Sequence, residues 1–128
     1  MIDINNTTKN KINVRQLSAV VEKFMAVYHL QKFAVSVAIV TDTAMARMNE
    51  TYRGKSGPTD VLSFPELNEI IIDYAQIRRQ AKELQTSPEK ELLFILVHGL
   101  LHLIGYDDQT EKARLEMIRL GEAFLEKI

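Results

Sequence analysis

The sequence predicts an α+β fold: one small mixed four-stranded sheet packed with about five helices, in a single domain spanning residues 1–128. Three observations predict it. A chain of 128 residues is the length of one ordinary core and leaves little room for a second. Short β-branched runs interrupt stretches of helical period, in the order β-α-β-α-β-β-α-α-α. One late helix is apolar nearly all round, which requires neighbours on most sides and makes it the central buried helix.

The elements follow in order. Ile2 to Asn5 alternates and is short, as an edge strand does. Val14, Leu17, Val20, Val21, Phe24 and Val27 recur at helical spacing, so residues 11–29 form an amphipathic helix. Ala34 to Val40 reads as a buried strand. Thr41 or Asp42 can cap the next helix, with Met45 and Met48 on its inner face. Residues 53–58, Arg-Gly-Lys-Ser-Gly-Pro, form a loop by their Gly and Pro content. Thr59 to Phe64 and Glu69 to Asp73 are strands joined at Pro65 to Asn68 as a hairpin. Helical period returns from Tyr74 to Leu84. Ser87-Pro88 then opens the apolar helix, which runs to Leu103. Gly105 stands where a left-handed glycine ends a helix. A last amphipathic helix covers Gln109 to Glu126.

Composition narrows the chemistry. Sixteen basic and seventeen acidic side chains give a net charge of −1, which argues against a protein that coats nucleic acid by bulk charge. The charge is uneven: residues 1–60 hold eight basic and five acidic groups, residues 61–128 eight and twelve. With no Cys, a disulfide scaffold, a thiolate metal site and a Cys nucleophile are excluded, and any metal must be held by His, Asp or Glu. The N-terminus lacks the basic start and apolar run of a signal peptide. The longest apolar run, Leu92 to Val97, is far short of a membrane span. The expected setting is the cytoplasm, with no membrane partner.

Two of the three histidines, His98 and His102, stand four apart on the apolar helix. That spacing puts both imidazoles on one face, a turn apart, able to grip one ion. A bare imidazole is costly in an apolar helix, which favours a ligand role over core filler. Gly105 lets the chain turn back, and Asp108 can then supply a carboxylate. Two imidazoles, one carboxylate and an open fourth place is the pattern of a catalytic zinc site. Asp108 has a rival role, because Asp108 and Glu111 carry the D-x-x-E pattern of a capping box for the last helix. Asp107 is the alternative ligand. The metzincin proteases carry a similar His-x-x-x-His-x-x-Gly turn, but need Glu directly after the first His as general base. Gly99 occupies that position here, so peptide hydrolysis by that route lacks its base.

A second motif runs from Tyr52 to Pro65 and begins as a basic loop. Arg53 and Lys55 flank Gly54, so backbone can approach a ligand closely, and Arg suits bidentate phosphate contact. Together the segments TYRGKSGPTDVLSFP and VHGLLHLIGYDD resemble the YbeY family of bacterial metal-dependent endoribonucleases, also described as ribosomal RNA maturation factors. The resemblance runs over essentially the whole chain in order. It implies a metal-dependent single-strand endoribonuclease acting on ribosomal RNA, with small-subunit ribosomal components as partners. It places the first two metal-binding histidines on His98 and His102, the third on position 108, and the functional arginine on Arg53; His98, His102 and Arg53 are thus the catalytic expectation, and Arg53 and Lys55 the substrate-binding one.

Three departures from the family stand out. Asp108 replaces the third His, which hardens the ligand set; zinc is expected first, with manganese or another divalent ion as the alternative. Asn68-Glu69 replaces the usual Gly-Asp. The Pro65 to Asn68 connection is shorter than typical. Arg47, Arg78, Arg79 and Lys82 are candidates to extend a phosphate-tracking groove or to form a solvated helix face. Asp107 and Glu69 are candidate general bases, and His29 reads as a surface residue ending the first helix. Exposed aromatics look scarce, so base stacking has no independent support. Two other readings stand beside the first: a non-catalytic ribosome-assembly factor with a structural metal, and a metallohydrolase of another substrate class.

Overall fold

A computed structural model describes residues 1–30 and 32–128. The elements are β1 (Ile2–Asn6), α1 (Val14–Val27), β2 (Val35–Val40), α2 (Asp42–Arg53), β3 (Val61–Phe64), β4 (Glu69–Asp73), α3 (Tyr74–Glu83), α4 (Pro88–Leu103) and α5 (Glu111–Glu126). The order is the one the periodicity predicts.

The sheet runs β1-β2-β4-β3. β1 pairs parallel with β2, from Ile2 opposite Val35 to Asn6 opposite Ile39. β2 pairs parallel with β4, and β3 closes the far edge antiparallel to β4, with Val61 opposite Ile72 and Phe64 opposite Glu69. The parallel pair β1 and β2 needs a crossover, and α1 supplies it.

Both faces of the sheet are covered, which is why β4 carries three consecutive isoleucines. Ile70 and Ile72 join Val37 and Ile39 in the main core, under Leu17, Val21 and Phe24 of α1 and Leu96 and Leu100 of α4. Ile71 points the other way, into a smaller cluster with Val40, Leu62 and Met45 of α2. α4 lies between the sheet, α1, α3 and α5, and most of its side chains are buried. The apolar helix is therefore the central one.

Some boundaries differ from the sequence expectation, each because a particular cap prevails. α1 starts at Val14 because Asn13 Oδ1 accepts from the Gln16 N–H at 3.0 Å. His29 ends that helix region in a left-handed conformation (φ 57°) and is exposed. α2 continues through Arg53, so Arg53 is helical rather than a loop residue, and Gly54 (φ 65°) turns the chain out of the helix. α5 starts at Glu111, not Gln109. Its cap is Thr110, whose Oγ1 accepts from the Ala113 N–H at 3.0 Å. The capping box from Asp108 does not form, and Asp108 is free for other work. In the β3–β4 turn, Asn68 holds φ 52°. That is the left-handed region that favours glycine and in which Asn is the best-tolerated substitute.

Candidate metal centre and its cleft

The site grows from the C-terminal end of α4. Ser87 caps the start of this helix, its Oγ accepting from the Lys90 N–H at 3.1 Å, with Pro88 at the first position. His98 and His102 then occupy its last two turns. The carbonyl end of a helix dipole favours positive charge, so a cation bound there is helped by the helix itself. Gly99 faces the sheet. A Cβ on it would lie 3.1 Å from Ile70 Cγ2, and its carbonyl accepts from Ser63 Oγ at 3.4 Å. The glycine therefore lets α4 approach β3 and β4 closely, beside His98.

Beyond α4 the chain reverses. Gly105 takes φ 108°, and the Tyr106 N–H donates to the Leu101 carbonyl at 3.1 Å. Asp107 Oδ1 accepts from the Gln109 N–H at 3.2 Å, a local turn bond. Asp108, not Asp107, comes back over the histidines.

Three donor atoms meet in a near-equilateral triangle. His98 Nε2 and His102 Nε2 are 3.2 Å apart, His98 Nε2 and Asp108 Oδ2 3.4 Å, and His102 Nε2 and Asp108 Oδ2 3.6 Å. A tetrahedral ion bound at about 2.0–2.1 Å holds its ligands roughly 3.3–3.4 Å apart. The triangle has the dimensions of one face of that tetrahedron, so His98, His102 and Asp108 could hold a metal ion. His102 Nδ1 lies 3.0 Å from the Tyr106 carbonyl oxygen and donates to it, leaving Nε2 unprotonated toward the triangle. Burial pushes the His98 pKa down, the charge of His102 adds to that, and Asp108 opposes it. A neutral imidazole is the form a ligand needs.

The triangle opens onto a cleft of about 900 Å³ between the end of α2, strand β3, α4 and the start of α5. Arg53 lines it; Lys55, in the exposed turn just beyond, is not among the lining residues. The turn is anchored by Asn49, which is buried and donates from Nδ2 to the Gly57 carbonyl at 2.9 Å. That contact, with Gly54, fixes where α2 ends and so where Arg53 projects. Arg47, Arg78, Arg79, Lys82 and Glu69 do not line the cleft. Arg79 instead grips Asp42 through two bonds of 3.0 and 2.8 Å.

Sequence reasoning passed over several cleft residues. Tyr52, Phe64 and Tyr106 line it, as do Asp60 and Arg114. Tyr52, Asp60, Phe64 and Tyr106 all fall within the two motifs, but nothing in the spacing tells which side chains face inward. Arg114 pairs with Glu111 at 2.8 Å one turn away, a pattern indistinguishable in sequence from any solvated helix pair. A second groove of about 1020 Å³ runs between α1, α4 and α5, but no metal-ligating trio opens onto it among the described residues.

The fold and site together define a small α+β domain with a His/His/Asp trio that could hold a metal ion at the floor of a cleft carrying arginine. Residues 3–128 match the family described as Endoribonuclease YbeY. A relative from Sulfurihydrogenibium, named Endoribonuclease YbeY, is 31% identical, covering 97% of this chain and 96% of its own. A relative of the same name from Bacillus licheniformis is 39% identical over 73% of this chain and 70% of its own. The solution structure of TM1509 from Thermotoga maritima superposes with a TM-score of 0.71 at 30% identity, covering 98% of this chain and 87% of that one. The chain belongs to the endoribonuclease YbeY family.

Proposed function

We propose that this chain is a metal-dependent, single-strand-specific endoribonuclease acting in ribosomal RNA maturation and ribosome assembly, in the cytoplasm where ribosomes are built. The observation that carries this reading is the donor triangle of His98, His102 and Asp108 at the floor of a cleft that also presents Arg53. Family membership supplies the substrate class, since the relatives are named endoribonucleases. Small-subunit ribosomal components are the partners this reading implies.

His98 and His102 would each offer Nε2 and Asp108 a carboxylate oxygen, a ligand set that would leave a divalent ion one net positive charge. Zinc fits this set, and the single carboxylate also admits manganese. Such an ion supplies Lewis-acid polarisation of a phosphoryl oxygen and lowers the pKa of water. Arg53 binds the scissile phosphate through its planar fork and stabilises the charge that grows on it. Lys55 adds attraction from the neighbouring turn without fixed geometry. Asp60, Glu66 and Asp107 line the cleft beside the Asp108 ligand and are the carboxylates available to take a proton there.

The test is cleavage of a single-stranded oligoribonucleotide by purified protein with zinc or manganese added. The wild type should cut it, and His98→Ala and Arg53→Ala should each abolish cutting while the fold persists by circular dichroism. RNA that is retained but never cut with any divalent ion would overturn the catalytic reading in favour of an assembly factor with a structural metal. Full activity in His98→Ala would overturn the metal's role.

A further inference from the structure

We propose that Tyr52 is a stacking platform for a base of the bound single strand, and thereby a residue that positions RNA in the cleft. The inference rests on the reading of the cleft as an RNA site. It concerns a residue to which neither the sequence motifs nor the family relationship assigned a task.

The chain has nine aromatic residues, five Phe and four Tyr. Two of them are exposed, Tyr52 at 65% and Tyr106 at 37%, and both line the cleft that holds the metal trio. Aromatic rings carry the largest apolar payload per residue and ordinarily turn inward. Here the two that do not are gathered at one site. Phe64 of β3 braces Tyr52, with ring centroids 5.2 Å apart and planes at 73°. In an edge-to-face pair only one ring offers its face, so at least one face of Tyr52 stays open whichever ring offers the edge. The tyrosine stands on the last turn of α2, whose exit is fixed by Gly54 and by Asn49 bonded to Gly57. It is presented from a braced element rather than a free loop.

The neighbour in sequence sharpens the assignment. Arg53 lines the same cleft, so one helix end offers a guanidinium for phosphate and a ring for a base side by side. Single strands are held in this way: charge tracks the backbone, and aromatic faces take the bases. Stacking alone tolerates every base, and larger purine rings stack more strongly. The expected outcome is therefore a mild purine preference next to the phosphate held by Arg53, not a strict sequence requirement.

The experiment exploits the absence of Trp from the chain. Tyr52→Trp places the sole indole on the platform, and its fluorescence is followed with a single-stranded oligoribonucleotide, with and without abasic sites. Stacking predicts quenching by the intact strand and little by the abasic one. In steady-state cleavage, Tyr52→Leu should raise KM by about tenfold and Tyr52→Phe should not; the rise should vanish on abasic substrate. Equal quenching by both strands, or an unchanged KM for Tyr52→Leu on a strand the wild type cuts, would overturn the platform alone. A fall in kcat at constant KM would overturn it in favour of a packing role for Tyr52 against Phe64. A wild type that cuts no single-stranded RNA would overturn the endoribonuclease reading, and the platform with it.

Discussion

His102 Nδ1 and the carbonyl oxygen of Tyr106 are 3.0 Å apart, and this contact sets which nitrogen of His102 faces the metal trio. The turn that delivers the carbonyl is made by Gly105 at φ 108°, with open space where a Cβ would stand. An alanine there meets no clash, only the backbone strain of a left-handed conformation. Gly105→Ala should therefore shift the turn, weaken the bond to His102 and displace Asp108. Losing an orienting partner of a ligating His typically costs about 10- to 100-fold in metal affinity. Competition with a chelator measures it, and unchanged affinity would show that the turn does not orient the ligand.

Asp107 and Asp108 are adjacent, exposed and chemically identical, yet the loop gives them different tasks. Asp108 Oδ2 sits 3.4 Å from His98 Nε2, while Asp107 accepts from the Gln109 N–H. Asp108→Ala should abolish tight binding of zinc, and Asp107→Ala should leave a stoichiometric ion. Elemental analysis of the dialysed variants distinguishes them. The reverse pattern would move the third ligand one residue back.

That pair marks where the sequence stops being legible. The His98/His102 spacing is written in the helix period, because residues four apart share a face whatever surrounds them. The choice between Asp107 and Asp108 depends on the path of the loop after Gly105, which no period records. The D-x-x-E pattern points to Asp108 as the cap of the last helix, whereas Thr110 takes that place in the structure. The element order was readable for the same reason as the His pair. Strand order, the inward faces of Tyr52 and Asp60, and the place of Arg114 depend on tertiary packing, and a single sequence does not encode them locally.

Asp73 is fully buried, caps α3 through Oδ1, and leaves Oδ2 without a hydrogen-bond partner. Burial, and after it the neighbouring Asp42 carboxylate, raise its pKa to about 7, while hydrogen bonding from Arg79 lowers that of Asp42 to about 2. Between the ordinary value of 3.8 and about 7, folded Asp73 keeps a proton that the unfolded chain releases. Its contribution to stability is thus full below the unfolded pKa and is lost as pH rises through the folded one. Asp42 acts oppositely, its contribution being lost only as pH falls toward about 2. The melting temperature of metal-free protein should fall from pH 5 to pH 8. Asp73→Asn keeps an acceptor for the Gln76 N–H and should flatten that fall. An equal fall in the variant would assign it to other groups.

Two helical glycines make opposite predictions from space alone. At Gly121 on α5, an added Cβ would meet Phe94 Cε1 at 3.6 Å and Val97 Cγ1 at 3.8 Å, ordinary contact distances. Gly121→Ala should gain about 0.5–1 kcal/mol, because glycine costs a helix that much backbone entropy. At Gly99 the same atom would stand 3.1 Å from Ile70 Cγ2. That methyl sits on a β-branched side chain fully buried in the central sheet and has little room to rotate away. Overpacking of this kind costs about 1–3 kcal/mol, which offsets or exceeds the helix gain. The larger consequence is positional: α4 must back away from β4, and His98 moves with it. Gly99→Ala should therefore lose metal affinity and activity out of proportion to its change in melting temperature, whereas Gly121→Ala should melt higher with metal binding intact. Thermal denaturation beside chelator competition reads both, and a stabilised Gly99→Ala that keeps its metal would refute the close-approach account of that glycine.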